Sequence, residues 1–266
     1  MISVKKFTYI FFLCILLNAG HAGAEEVFAQ TEKETPFRIG TCLGYSFAGY
    51  REETDMPLNR YANSFIFILD GNIQKGNFLY SFNSIFLLGK TMAIEMNSDQ
   101  LYFSYYQKEA NFLMASFENS LDYRLWGSGA FPGYLGGAIR LDASLIHLQE
   151  TFYYSLTAVL SLNVHVTQKW IINENNSFIF SASVPVFGFA VRPPYYGLLY
   201  SPLDLSMDFV SIHNYWALFC DAKYQYRFNK LLSLYANLGI ELSHIDFPQP
   251  RKNALINLSA GISFIF

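Results

Sequence analysis

Glu118, Asp122 and Arg124 share one phase of a segment in which every second residue is small or polar, and Arg140 with Asp142 repeat the arrangement. Lys169, the trio Asp221, Lys223 and Arg227, and then Glu241 fall on comparable rows further along. Charges of both signs on one face of successive strands can do one of two things. They can line a polar conduit or a site for a small charged solute, or they can pair with one another and offset the hydration that each loses on burial. A wall of ten strands encloses little space, because barrel diameter grows with strand number, and this favours a structural network over an open conduit.

Hydrolytic chemistry would need a nucleophile, a base and an orienting group in one place. His147, His213 and His244 all fall near the same predicted rim, with Glu150, Asp208 and Asp246 close to them in sequence. That pattern is compatible with a hydrolase working at the rim, yet histidines on loops are more often plainly solvated, and a non-enzymatic role is expected. The chain has neither Cys/His metal spacing nor a phosphate-binding loop, so no metal or cofactor is expected.

These charges are positioned by strands of period two. In the first, Phe37, Ile39, Thr41, Leu43, Tyr45 and Phe47 alternate with a nearly all-small row from Arg38 to Ala48. Further strands are predicted at about 60–69, 78–88, 111–125, 134–147 and 154–169. The remainder fall at about 177–184, 213–228, 232–243 and 253–266. The second is the least regular, since Phe65 to Leu69 are consecutive apolar residues, and Asp70-Gly71-Asn72 reads as the start of a turn ending near Gly76-Asn77. In the third, Leu79, Ile85 and Leu87 share the inner face with Ser81 and Asn83, so side chains should fill the barrel at this level. Pro185 interrupts the seventh strand and predicts a bulge, because a closed wall offers no edge to accommodate a residue without an N–H. The connectors 90–110 and 192–212 are long, and His244 to Lys252 form the last one.

Composition agrees. Hydrophobic residues are 52%, aromatics 18% and charged residues 15% of the chain, without a long apolar run after the N-terminus. Strands that show lipid every second residue produce such a balance. Lys5 and Lys6, the apolar run Phe7–Leu17 and Ala22-Gly23-Ala24 have the layout of a cleavable signal peptide over residues 1–24. Residues 25–35 read as a periplasmic lead-in and 36–266 as the barrel. Without Lys5 and Lys6 the 18 basic residues fall to 16 against 21 acidic, which argues against a nucleic-acid partner. Cys42 and Cys220 fall on strands that are not neighbours and on opposite faces, so both are expected as free, buried thiols. Trp126, Trp170 and Trp216 lie near strand ends, where an interfacial girdle would place them.

The final strand reads NALINLSAGISFIF, with Ala254, Ile256, Leu258, Ala260, Ile262, Phe264 and Phe266 on one row. An amphipathic last strand with Phe264 and a closing Phe266 resembles the assembly signal of bacterial outer-membrane β-barrels. The resemblance implies an all-β fold: a transmembrane antiparallel up-and-down β-barrel in the bacterial outer membrane, with short turns at the periplasmic end. Ten strands are expected, or twelve if 101–107 and part of 198–210 pair into the wall. It also implies outer-membrane lipid and the barrel assembly machinery as partners, besides an unidentified extracellular or periplasmic one. A structural or surface-interaction role is expected. The alternatives are a narrow channel or small-solute binder using the charged lumen, and the rim hydrolase.

Overall fold

The computed structural model describes residues 37–52, 58–94, 110–127, 129–148, 154–192, 206–246 and 250–266. The signal segment, the lead-in, Glu150 and the 101–107 segment lie outside the described residues. The strands are β1 (Arg38–Glu52), β2 (Leu58–Lys75), β3 (Phe78–Ile94), β4 (Ala110–Trp126), β5 (Gly133–Leu148) and β6 (Tyr154–Ile171). They continue with β7 (Asn176–Arg192), β8 (Ser206–Ser211), β9 (Tyr215–Arg227), β10 (Leu232–Ile245) and β11 (Arg251–Ile265).

Each strand pairs antiparallel with its neighbour in sequence order, apart from the β7–β9 region, and β1 pairs with β11 from Arg38↔Ile265 to Glu52↔Arg251. With β6 also paired to β7, ten strands close into a barrel. Closure satisfies the backbone amides within the wall, a requirement of any β-structure that crosses hydrocarbon.

The alternation holds in three dimensions. Leu43, Phe65, Leu88, Leu121 and Leu258 stand exposed on the outside, at 57–74% of their full surface. Ser46, Ser64, Ser116, Asn163, Ser233 and Ser259 are buried inside. So extensive an apolar exterior would be a liability in water and is what lipid solvates. On β11 the outward apolar row runs from Ala254 to Phe264. Ten steps of about 3.4 Å at a tilt of about 40° give a height of about 26 Å, the thickness of the apolar band of such barrels.

The interior is filled by side chains. Ile66, Ile68, Ile85, Leu87, Phe112, Met114 and Leu255 pack on one side of the lumen. Val159, Ala190, Val210, Tyr215, Phe219 and Ile245 pack on the other. The consecutive apolar residues of β2 are thereby explained, since Phe65 and Phe67 face lipid while Ile66 and Ile68 enter this core.

Several sequence expectations are corrected. Asp70-Gly71-Asn72 is not a turn: β2 continues to Lys75, and the turn is Gly76-Asn77, where Gly76 takes φ +57°. A two-residue hairpin needs that left-handed backbone, which glycine adopts at little cost. β11 begins at Arg251, earlier than the expected end of the preceding connector at Lys252. Cys42 and Cys220 are free, but only Cys42 is buried; Cys220 is half-buried.

An eleventh strand, β8, lies in the connector expected over 192–212. It pairs with the upper part of β7, Phe187↔Ser211 to Arg192↔Ser206, while the lower part of β7, Asn176–Ser183, pairs with β9. Pro185 sits where β7 changes partner. On its β6 side Asn163 faces Pro185 and Leu162 faces Phe187, so Val186 is the extra residue of the expected bulge. Val186 and Phe187 both point outward as a result.

At the short-turn end, the Trp126 indole covers Gly133, where a Cβ would come within 1.9 Å of its nitrogen, and donates to Gln168 Oε1 at 2.8 Å. Gly133→Val should displace the indole and destabilise the folded barrel by about 1–3 kcal/mol, read as a lower urea midpoint in detergent with a shifted tryptophan emission.

Candidate functional site in the barrel interior

The inward charges fall into three groups along the lumen. Near the short-turn end, which is periplasmic in barrels of this architecture, Asp70 accepts hydrogen bonds from Lys223 Nζ and Tyr235 Oη. The Lys223 ammonium also lies 3.8 Å from the centre of the Tyr235 ring. Asp122, with no exposed surface, is 2.8 Å from His165 Nδ1 and accepts from Thr167 Oγ1 at 3.5 Å. Arg38 Nη1 donates to Gln225 Oε1 at 2.9 Å, and Gln225 Nε2 donates to Ser263 Oγ at 3.4 Å. A cavity of about 130 Å³ lies here, lined among others by Arg38, Asp70, Glu118, His165, Lys169 and Lys223.

The second group closes the waist. Arg140 is 4% exposed and reaches three carboxylates: Nε to both Asp142 oxygens at 2.9 Å, Nη2 to Glu241 Oε2 at 2.8 Å, and Nη1 to Glu118 Oε2 at 3.6 Å. Its guanidinium stacks on Phe219 at 3.5 Å from the ring centre. Glu118 also accepts from Ser183 Oγ at 3.2 Å, whose oxygen accepts from Asn163 Nδ2 at 2.9 Å. Four elements are tied here by one planar cation. An arginine suits this place, since its fixed fork of donors serves several acceptors and its flat face tolerates an aromatic ring.

The third group lies toward the other end. Arg251 is 1% exposed and donates to Thr157 Oγ1 at 2.7 Å, Asn253 Oδ1 at 3.0 Å and Ser144 Oγ at 3.5 Å, beside the Tyr50 ring. A second cavity of about 40 Å³ is bounded by Tyr50, Asp142, Ser144, Thr157, Tyr215 and Glu241.

Of the ten charges singled out in sequence, Glu118, Arg140, Asp142 and Glu241 come together. Asp122 and Lys223 instead pair with His165 and Asp70, Asp221 accepts from Asn237 Nδ2 at 3.2 Å, and Lys169 lines the larger cavity. Arg124 does not join the lumen groups; it bonds Asn77 Oδ1 of the β2–β3 turn at 3.3 and 3.1 Å, and Arg227 lies half-buried at the same end. Sequence reading missed Asp70 and Arg251 as lumen charges, although both keep the inward phase of their strands. The Asp-Gly-Asn turn signature masked the first, and the proximity of Pro248 and Pro250 masked the second.

The histidines divide between two sectors of the wall, and His213 is exposed in the turn between β8 and β9, whose Asn214 carbonyl accepts from the Asp246 N–H at 2.8 Å. His244 Nε2 meets Asp246 Oδ1 at 2.7 Å on the outer face beside Trp216, whereas His147 belongs to β5, which is not a neighbour of β10 in the wall. Phe264 and Phe266 stand outward at the short-turn end, where Phe266 stacks on Phe37 with ring centres 6.3 Å apart and donates its N–H to the Phe37 carbonyl at 2.9 Å.

A closed antiparallel wall, apolar outside over a membrane-thick band and polar within, defines an integral β-barrel of the bacterial outer-membrane type. Solved structures of similar fold include Neisserial surface protein A (11% identity, TM-score 0.39), with 88% of this chain and all of that one covered. They include the translocator domain of the autotransporter NalP from Neisseria meningitidis, at 8% identity and TM-score 0.40, covering 98% of both chains. The transport unit of the autotransporter AIDA-I from Escherichia coli is similar at 10% identity and TM-score 0.42, covering 95% of this chain and 97% of that one. No protein-family model matches the chain, and no curated protein matches it in sequence.

Arg140→Ala would leave three carboxylates facing one another at the waist. The variant should lose about 3–5 kcal/mol of stability in urea unfolding. Arg140→Met combined with Glu118→Gln, Asp142→Asn and Glu241→Gln should lose markedly less, because no buried charge is then stranded.

Proposed function

We propose that the protein is a closed-lumen anchor of the outer membrane, holding the connectors between its strands, above all 95–109 and 193–205, at the cell surface for interaction with a partner. The observation that carries this reading is the waist at Arg140, where a guanidinium, three carboxylates and Phe219 occupy the cross-section between the two cavities. A conduit for ions would need a continuous wet path, and tightly paired charges are poor carriers because each is already compensated.

A second reading, a binder of small anions on the periplasmic side, is favoured by the larger cavity. Its Arg38 is bonded to a neutral amide, and its Nε has no partner among the described residues. Calorimetric titration of the purified barrel with acetate and with inorganic phosphate tests it; heat that persists unchanged in Arg38→Gln would remove it.

The anchor reading is tested in planar bilayers. The wild-type barrel should give no discrete conductance steps, and Arg140→Ala/Phe219→Ala, which joins the cavities, should introduce them. Steady single-channel currents from the wild-type protein would sink the closed-lumen reading.

A further inference from the structure

We propose that Arg38 and Arg227, with the Ser233 hydroxyl, hold a phosphate group at the periplasmic mouth of the lumen; this rests on the anion-binding reading of the larger cavity and names its ligand. Arg38 is 7% exposed and lines that cavity. Its Nη1 donates to Gln225 Oε1 at 2.9 Å, a neutral amide that satisfies one donor and supplies no opposite charge. Its Nε is buried without a partner among the described residues. The acids bordering this half of the lumen are engaged elsewhere: Asp70 by Lys223 and Tyr235, Asp122 by His165, and Glu118 by Arg140.

The wall brings these groups together from three strands. Arg227 of β9 is opposite Ser233 of β10, and Ser233 is opposite Ser263 of β11. Ser263 is in turn opposite Gly40 of β1, two residues from Arg38. Directly paired residues point to the same face, and the burial of Ser233 and Ser263 identifies that face as the inner one. Arg38 leans across this row, because the Gln225 it reaches is the next inward residue of β9 from Arg227 and itself donates to Ser263 Oγ at 3.4 Å. The Ser233 hydroxyl has no exposed surface and no partner among the described residues. The charge that acts on Arg38 is that of Arg227, of the same sign.

Burial of a charge without an opposite one is costly, and a second charge of the same sign adds to the cost. An anion between the two guanidinium groups reverses the sign of their interaction. A carboxylate brings one negative charge and two oxygens. A phosphate monoester carries about −1.5 to −2 at neutral pH and offers three acceptor oxygens, which matches two cations and a hydroxyl. Each arginine can meet it through two parallel N–H bonds from one fork. Position points to a soluble source. The site lies inside the closed wall, and the half-buried Arg227 stands at the short-turn end, so a phosphorylated solute of the periplasm reaches it without passing the waist at Arg140.

The test is calorimetric titration of the full barrel in detergent, with folding checked by heat-modifiable migration on gels. The probes are glycerol 3-phosphate, inorganic phosphate, acetate, and phosphatidic acid in the micelle. Both soluble phosphates should bind the wild type about tenfold more tightly than acetate, and than phosphatidic acid. Arg227→Gln should weaken phosphate about tenfold and leave acetate nearly unchanged, and Ser233→Ala should weaken phosphate about threefold. Arg38→Gln should abolish binding of both anions, and Lys230→Gln in the β9–β10 turn should change nothing. Where Arg227→Gln gives no folded band, Arg227→Lys is read in its place; it keeps the charge without the fork and should weaken phosphate about threefold. Equal affinity for acetate and phosphate, both lost in Arg38→Gln, would overturn the phosphate site while the anion reading stands; no heat with any anion would overturn both. Phosphate affinity undiminished in the Arg227 variants, or a preference for phosphatidic acid over the soluble phosphates, would also overturn the proposal.

Discussion

The constraint on which the structure depends is the absence of water around the wall. In hydrocarbon a backbone N–H or C=O has no partner except another strand, so the sheet must close on itself. The pairing of β1 with β11 over their whole lengths meets that demand. It also explains the behaviour of the irregular region in β7. Where β7 leaves β9 for β8, Pro185 falls at a place that pairs with Asn163 of β6 but with neither β8 nor β9. The far edge of β8 is served by side chains instead: Asp208 accepts from the Phe209 N–H at 2.8 Å, and Asn214 accepts from the Ser211 N–H at 2.7 Å while donating to the Phe209 carbonyl at 3.3 Å.

Closure with ten strands then dictates the interior. The enclosed space is too narrow for bulk water and too polar on its small-residue rows for a purely apolar filling, so the two kinds of content separate along the lumen. Apolar side chains pack in the half toward the long connectors, and charged pairs occupy the waist and the half toward the short turns. An isolated buried charge would be costly, and each of the acidic groups Asp70, Asp122 and Glu241 has a basic or histidine partner within hydrogen-bond reach. One arginine compensating three carboxylates is weak evidence for stability in itself. It is better understood as a device that fixes the relative positions of β4, β5 and β10 across the lumen, since only one arrangement of the fork meets all three.

Much of this was legible in the residues because a membrane strand has only two environments, and period two reports both. The inward row of β11, from Asn257 to Ser263, and the outward row of β10, from Leu232 to Leu242, need no tertiary information to assign. The bulge at Pro185 was equally readable, as its cause is a single missing donor. What resisted reading were partnerships across the lumen. Phase says that Asp122 and Lys223 point inward; it does not say that they meet His165 and Asp70, because strand tilt and shear decide which rows share a height. Asp70 was lost for a second reason. Asp-Gly-Asn carries a strong local turn preference, and two flanking strand ladders outweighed it.

The outer face was the least legible, although its residues are in plain view. Sequence reading leaves Lys252 in a connector and gives no reason to join it to Arg51, since the two are about two hundred residues apart and sit on the first and last strands of the barrel. Only closure makes them neighbours. The same holds for the bare patch beneath them: a glycine in β1 and an alanine in β11 are unremarkable singly, and a notch arises because the register sets Gly49 against Ala254. The β1–β11 seam is thus both the last pairing needed to satisfy the backbone and the place where residues with no local relation acquire one. Chemistry invisible along the chain is to be sought at such a seam.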